Sequence, residues 1–509
     1  MNGSIQDQLR DYADDVTSRS VAVDFDEVMR QRFSAESVQP AHPSERSTKA
    51  ERKPWRTATA AAAAVLILIG GAALLAQTSG SDVDAGATPT TEPTSLSTVV
   101  PSQLTWSRAT DDGTLADRVP FTDGMRDVTR GGPGLVAVGE GDDGAAVWTS
   151  ADGITWSRLA FDDSVLGGGS TMWSVPVGSF GLVAVGGERG PEHESGDGDA
   201  AVWTSTDSVT WSRVPHDESV FGGEGEQQMV SVATGGPGLV AVGWDTSGGS
   251  PDAAVWTSAD GLVWSRVPHD ELVFGGEHDQ TMSSVAVGGP GLVAVGADSF
   301  LDVDRGQLTN YDDVVSVAAV WTSIDGLTWD RVPHDEAILG GEGNQWMDSL
   351  ASTALGLVAV GGDWSREGHH AAVWMSVDGT TWSRIPNNGS VFGGEHDQLM
   401  SGVTQIGSGV IAVGQAWASS DSGSFTGHDS AASVWVSDDG LTWTWMGYDE
   451  AVFGSEDNTT SLLSDGPVYT ESRQFMTSVI ATHWGAVAVG ADWAGPSHGA
   501  AVWIATEQE

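Results

Sequence analysis

Seven copies of one word dominate the chain. Gly-Leu-Val-Ala-Val-Gly, or a near copy, begins at Gly134, Gly181, Gly238, Gly291, Gly356, Gly409 and Gly485. Each copy is followed by Ala-Ala-Val-Trp or a near copy, ending at Trp148, Trp203, Trp256, Trp321, Trp374, Trp435 and Trp503. Self-similarity at a period of about 50–65 residues belongs to stacked arrays and propellers, in which one unit cannot bury its apolar face alone.

Two more words complete the unit. A Met-x-x-Val or Met-x-x-Leu segment (A) begins at Met125, Met172, Met229, Met282, Met347, Met400 and Met476, ahead of each hexamer (B). The Ala-Ala-Val-Trp tetramer (C) leads to Thr-Trp-Ser-Arg and its variants (D), around Trp106, Trp156, Trp211, Trp264, Trp329, Trp382 and Trp443. These words are short, β-branched and aromatic, and Gly, Pro and Asp punctuate them, as strands require. Four strands per unit, seven times over, predict an all-β fold: a seven-bladed propeller of four-stranded blades. The chain starts its repeats with a lone D word, Leu104–Arg108, and no D word follows Trp503. The N-terminal strand is therefore expected to complete the seventh blade and leave no open edge.

Charge and hydropathy divide the rest. The formal charge is −48 and there is no cysteine, which excludes disulfides, thiolate metal sites and a cysteine nucleophile. Residues 1–56 carry nine Lys/Arg and ten Asp/Glu; the remainder carries thirteen Arg, no Lys and sixty Asp/Glu. Such a surface repels nucleic acid and anionic lipid headgroups. Ala58 to Ala76 is uncharged and apolar. That length suits a hydrocarbon core of about 30 Å. Lys49, Arg52, Lys53 and Arg56 precede it and no positive residue follows until Arg108. The positive-inside rule then places the N-terminus in the cytoplasm and the repeats outside. The expected organisation is a short cytoplasmic segment (1–56), a single transmembrane helix (57–77), a Ser/Thr/Pro-rich linker (78–102) and the propeller ectodomain (103–509), monomeric and tethered to the cell membrane.

Between C and D runs Ser-x-Asp-Gly-x-Thr-Trp, in copies from Ser150, Ser205, Ser258, Ser323, Ser376 and Ser437. Here the chain resembles the Asp-box (bacterial neuraminidase repeat) proteins, whose motif has one more residue between Asp and Gly. Ser208 replaces the Gly of the second copy, and Val263 the Thr of the third. The resemblance covers the ectodomain and implies a propeller with this box as a structural turn. The residue types agree: Asp152, Asp207, Asp260, Asp325, Asp378 and Asp439 can accept backbone N–H groups across a tight turn. They are read as structural, not as metal ligands or catalysts.

Strand alternation puts A–B loops and C–D turns on one face, and B–C loops and D–A linkers on the other. The first face keeps fixed spacings: nine positions from the A Met to the B Gly, eight from the C Trp to the D Trp. On the second face, the B–C loops hold 5, 13, 9, 21, 9, 17 and 9 residues, and the D–A linker after Trp443 takes 33 positions to reach Met where most take 18. Function is expected on this variable face, since loops vary on a rigid scaffold. Trp244, Phe300, Trp364, Trp417 and Trp493 follow the B words there and are the ligand-binding candidates. The linkers repeat His-Asp-Glu at His216–Glu218, His269–Glu271 and His334–Glu336. Carboxylates suit Ca²⁺ and imidazole suits transition metals, but linker packing and local hydrogen bonds are the reading adopted, with no cofactor or metal site expected and Ca²⁺ the ion held in reserve. The D-word Arg is expected to pair with a neighbouring carboxylate.

Sialidases supply the enzyme analogy. Ser383–Pro386 reads Ser-Arg-Ile-Pro, close to their Phe/Tyr-Arg-Ile-Pro signature, yet Arg-Val-Pro recurs at Arg118, Arg213, Arg266 and Arg331 and so reads as a repeat element. A sialidase-like glycoside hydrolase would have to draw on Tyr311, Tyr469, Arg189, Arg305 and Arg366, from the variable face. The preferred reading is a membrane-tethered binding propeller for a glycan, a cell-wall component or a protein. A third reading is signalling through residues 1–56, which resemble the inner ends of actinobacterial membrane regulators.

Overall fold

The computed structural model describes residues 99–109, 115, 124–132, 134–141, 143–160, 162–178, 181–189, 198–276, 278–301, 314–341, 343–365, 368–394, 396–418, 430–447, 449–454, 461–463, 466–468, 473–493 and 499–507. The segments expected to be cytoplasmic (1–56) and membrane-spanning (57–77), and nearly all of the expected linker, lie outside them. Among the described residues no helix is long and apolar enough to cross a membrane.

The repeat folds into seven antiparallel sheets, six of them built from their A, B, C and D strands in sequence order. Blade 3 is representative, with strands Gln227–Gly235, Gly238–Asp245, Asp252–Ser258 and Trp264–Arg266. In blade 2 strand A is split into Ser170–Ser174 and Val177–Gly178, because Pro176 between them has no N–H to donate. Blade 7 consists of Gln474–Thr482, Gly485–Asp492 and Gly499–Glu507, and Leu104–Arg108 adds antiparallel to the last of these. The long linker after Trp443 contains a two-stranded hairpin, Ser461–Leu463 with Gly466–Val468.

Each word now has a physical reason. The seven A-strand Met side chains are fully buried, as are the seven C-strand Trp rings, so these large apolar groups form the material between blades. All seven A strands carry a β-bulge just after the Met, for example between Met229 and Ser231. The bulge throws a backbone carbonyl toward strand B, and the last Gly of the hexamer faces it. A Cβ on Gly243 would land on the Gln228 carbonyl oxygen. The first Gly of the hexamer abuts the end of strand C in the same manner, as Gly238 does at Ser258. Close approach thus dictates both glycines of the word.

The A strands of successive blades touch one another and so form the innermost layer. They are laced together. Ser174, Ser231 and Ser284 accept the backbone N–H groups of Val232, Val285 and Leu350 from the next blade at 3.4, 3.2 and 3.1 Å. At the seam between blades 7 and 1, Asp127 replaces Ser and ties both sides. It accepts from Val175 N–H of blade 2 and from the Ser478 hydroxyl of blade 7, each at 2.8 Å.

Candidate functional site

Strands A begin, strands B end and strands C begin at the variable face. Beneath that face a repeated clamp fixes the frame. In blade 3, Gln227 Nε2 donates to Asp245 Oδ1 at 2.9 Å, and Arg266 from strand D forms an ion pair with Asp245 Oδ2. The Arg266 guanidinium also lies over the Trp256 ring, 5.5 Å from its centroid. The same Gln–Asp–Arg set recurs as Gln280, Asp298 and Arg331 in blade 4 and as Gln345, Asp363 and Arg384 in blade 5. Blade 7 has Gln474, Asp492 and Arg108, so the N-terminal strand supplies the missing cation. Blade 2 pairs Arg213 with Glu188. Blade 6 replaces both members at once: Ala416 stands in strand B and Trp445, opposite Trp435, in strand D. The freed Gln398 there accepts from Trp435 Nε1 at 3.3 Å. The carboxylate partner expected for the D-word Arg is thus a strand-B residue. Four of the Arg residues in the Arg-Val/Ile-Pro words, including Arg384 of Ser383–Pro386, are held in these clamps.

The C–D turns on the opposite face occupy their carboxylates as well. Asp152 Oδ1 accepts from Ile154 and Thr155 N–H at 2.8 and 2.7 Å, Ser150 Oγ accepts from Gly153 N–H at 2.8 Å, and Trp156 Nε1 donates to the Gly153 carbonyl at 3.0 Å. The carboxylates of Asp207, Asp260, Asp325, Asp378 and Asp439 each accept the corresponding two backbone N–H groups. The Thr210 and Val209 N–H groups hold the Asp207 pKa down at about 2.

On the variable face, blades 5 and 6 bring two of the aromatic candidates onto one histidine. The His369 ring stacks on Trp364 (4.9 Å between centroids, 8° between planes) and tilts against Trp417 (5.5 Å, 55°). The backbone N–H of His369 donates to Asp397 Oδ1 at 2.9 Å, and burial lowers the imidazole pKa. Both Trp rings are half-buried. Of the other candidates, Phe300 stacks with His278 in blade 4, and Trp493 meets Phe475 edge-on in blade 7. Trp244 pairs in register with Gln228 in blade 3. Tyr311, Tyr469, Arg305 and Arg366 lie outside the described residues, and so does the side chain of Arg189, whose backbone ends strand B of blade 2.

The His-Asp-Glu linkers have an internal logic. The middle Asp opens a single tight turn: Asp217 Oδ1 accepts Ser219 N–H at 3.0 Å, and the Asp217 carbonyl accepts Phe221 N–H at 2.8 Å. The Val220 carbonyl of that turn receives Trp256 Nε1 of blade 3 at 2.7 Å, which pins the linker to the blade it enters. The outer His and Glu are left facing each other.

Sequence reasoning missed the innermost layer. At the bulge position after the Met, blade 1 carries Arg126 and blade 5 carries Asp348. Arg126 lies 4.7 Å over the Trp173 ring, and burial lowers its pKa. Asp348 Oδ2 accepts from Trp346 Nε1 at 2.9 Å, and burial pushes its pKa up to about 7. Comparing the internal copies would have found both, since the other five residues at this position are uncharged. The buried Gln two positions before the Met, present in blades 3 to 7, was equally visible.

No protein-family model matches the chain, and no curated protein matches it. Solved structures that it resembles include a protein of unknown function from Dyadobacter fermentans (14% identity, 63% of this chain and 96% of that one, TM-score 0.38). Another is the WD40 repeats of RRP9 (11% identity, 79% and 99%, TM-score 0.41). A third is the Trypanosoma rangeli sialidase in complex with sialic acid (11% identity, 78% and 58%, TM-score 0.38). At these identities and scores the likeness extends to no activity.

Proposed function

We propose that this chain is a membrane-tethered, extracytoplasmic binding propeller. Its variable face takes a glycan, a cell-wall component or a protein, with blades 5 and 6 as the contact. The observation that carries this reading is the convergence of Trp364 and Trp417 on His369. Two half-buried indoles from neighbouring blades, braced by a third ring, present apolar faces beside polar edges, a combination suited to stacking on sugar rings. The strand-B end that carries Trp364 is stiffened by the Gln–Asp–Arg clamp of blade 5, so little ordering is left there for binding to cost. The apolar stretch from Ala58 to Ala76 and the basic residues before it support the tether and its orientation.

The test uses the full-length protein in detergent on immobilised cell-wall glycans and on a glycan array. The Trp364→Ala, Trp417→Ala, Trp493→Ala triple variant is expected to lose retention. Undiminished retention by that variant would remove the aromatic face from the reading.

A further inference from the structure

Blades 2 and 3 each bring one imidazole and two carboxylates together at the outer rim of the variable face. In blade 2, His216 Nε2 lies 3.1 Å from Glu218 Oε2 and 3.7 Å from Asp199 Oδ2. In blade 3, His269 Nε2 lies 3.1 Å from Glu271 Oε2 and 3.8 Å from Asp252 Oδ2. The three donor atoms of each set fall within 4.8 Å of one another. We propose that each set binds one divalent transition-metal ion, through the imidazole Nε2 and one oxygen of each carboxylate. The proposal stands apart from the aromatic face and does not rest on it.

The donor chemistry selects the ion. An imidazole with two carboxylates suits Zn²⁺, Co²⁺ or Ni²⁺ better than Ca²⁺, which favours a larger all-oxygen shell. An ion about 2.1 Å from each donor needs donors roughly 3–3.5 Å apart. The two His–Glu distances already satisfy this, and the His–Asp distances need to close by a few tenths of an ångström. Three protein donors leave further positions for water or for a carboxylate or hydroxyl of an incoming ligand.

One feature of the fold points to a cation beyond the donors themselves. Asp199 pairs in register with Glu188, and Asp252 with Asp245, so each Asp faces another acid on the adjacent strand. Like charges placed opposite each other destabilise a sheet. Glu188 and Asp245 are already paired with Arg213 and Arg266, so those two guanidinium groups are engaged on the inner acid of each facing pair. The linker also leaves room, in these two blades as in blade 4. Glu218 folds back over Gly222, where a Cβ would come within 2.7 Å of Oε2, and Glu271 does so over Gly275 at 3.1 Å. Glycine at this place lets the carboxylate turn toward the imidazole. The ring itself is braced against Phe221 or Phe274.

Blade 4 is an internal control. His334 and Glu336 keep the pair at 3.0 Å, but Val317 stands where blades 2 and 3 have Asp, opposite Asp298. Two donors remain there, too few for a site of this kind.

Co²⁺ binding to the full-length chain tests the proposal. Bound ions are counted by equilibrium dialysis in excess Ca²⁺, which occupies the general acidic surface, and followed by the d–d absorption of cobalt bound to nitrogen and oxygen. Wild type is expected to hold two Co²⁺ per chain, His216→Ala one, His269→Ala one, and the double variant none. Both histidines are on the surface, so these variants keep the fold. Folded Val317→Asp is expected to hold three. No Co²⁺ on wild type, an unchanged count in the double variant, or two ions on folded Val317→Asp would each overturn it.

Discussion

Arg108 and Asp492 form an ion pair although 384 positions separate them, and the pair locks the first described strand onto the last blade. Arg108 also lies 5.8 Å over the Trp503 ring, as the D-strand Arg of other blades does over its own Trp. The ring is closed by the same chemistry that stiffens an ordinary blade. Removing Asp492 leaves Arg108 and Gln474 without their shared acceptor. Complete burial would make that loss worth about 3–5 kcal/mol, and partial exposure of both side chains reduces it to about 1–3 kcal/mol. Asp492→Ala should therefore lower the urea midpoint, and it should speed hydrogen exchange in Leu104–Arg108 before any other strand. Uniform exchange across the blades would show that the pair has no special role in closure.

Blade 6 shows that the clamp can be exchanged as a unit. Ala416 and Trp445 occupy the places that Asp245 and Arg266 hold in blade 3. In blade 3, Asp245→Ala alone strands a half-buried guanidinium, and Arg266→Trp alone strands a carboxylate. Each should cost about 2–3 kcal/mol, while the double variant should cost less than the sum by about 1–2 kcal/mol. Additive losses in a double-mutant cycle would mean that the two blades solve different packing problems.

The C–D turns allow a substitution that should stabilise. Ser208 is the one non-Gly residue with positive φ among the described residues, at 70°, where the equivalent glycines lie between 73° and 78°. Relieving that backbone with Ser208→Gly is expected to raise stability by about 0.5–1 kcal/mol, after the entropy cost of a new glycine. The reverse change, Gly153→Ser, should destabilise, because a Cβ there meets the Trp484 ring at 2.8 Å. A fall in melting temperature for Ser208→Gly would contradict this account of the turn.

Much of this architecture was legible because the repeat preserves contacts. Met, Gly and Trp recur at fixed spacings since each fills one place between strands, and a lone D word at Leu104–Arg108 could only belong to a blade lacking its own. The clamp was half legible. The Arg stood out, but its partner, Asp245 in blade 3, lies on a strand two away in the sheet, and nothing in the local sequence pairs them. The innermost charges were hidden for a different reason. A bulge breaks the period-2 alternation, so Arg126 and Asp348 sit where simple alternation misassigns the face. Trp364 and Trp417 were singled out, but not the His369 that joins them, since stacking between blades has no signature along one strand.

Asp348 should give the fold a pH dependence of its own. Burial holds its folded pKa at about 7, above the value near 4 of an unfolded Asp. Between these values the fold keeps a proton that the unfolded chain has released. The stability this group contributes is complete below about pH 4 and is lost as pH rises through about 7. Asp348→Asn keeps an oxygen to accept the Trp346 N–H and has no charge to bury. The variant should match wild type near about pH 4 and exceed it near about pH 8 by on the order of 2–4 kcal/mol. Thermal midpoints of the two proteins at both pH values decide the matter. A gap that stays the same at the two would mean that Asp348 is ionised in the fold throughout, with water in the innermost layer solvating its charge.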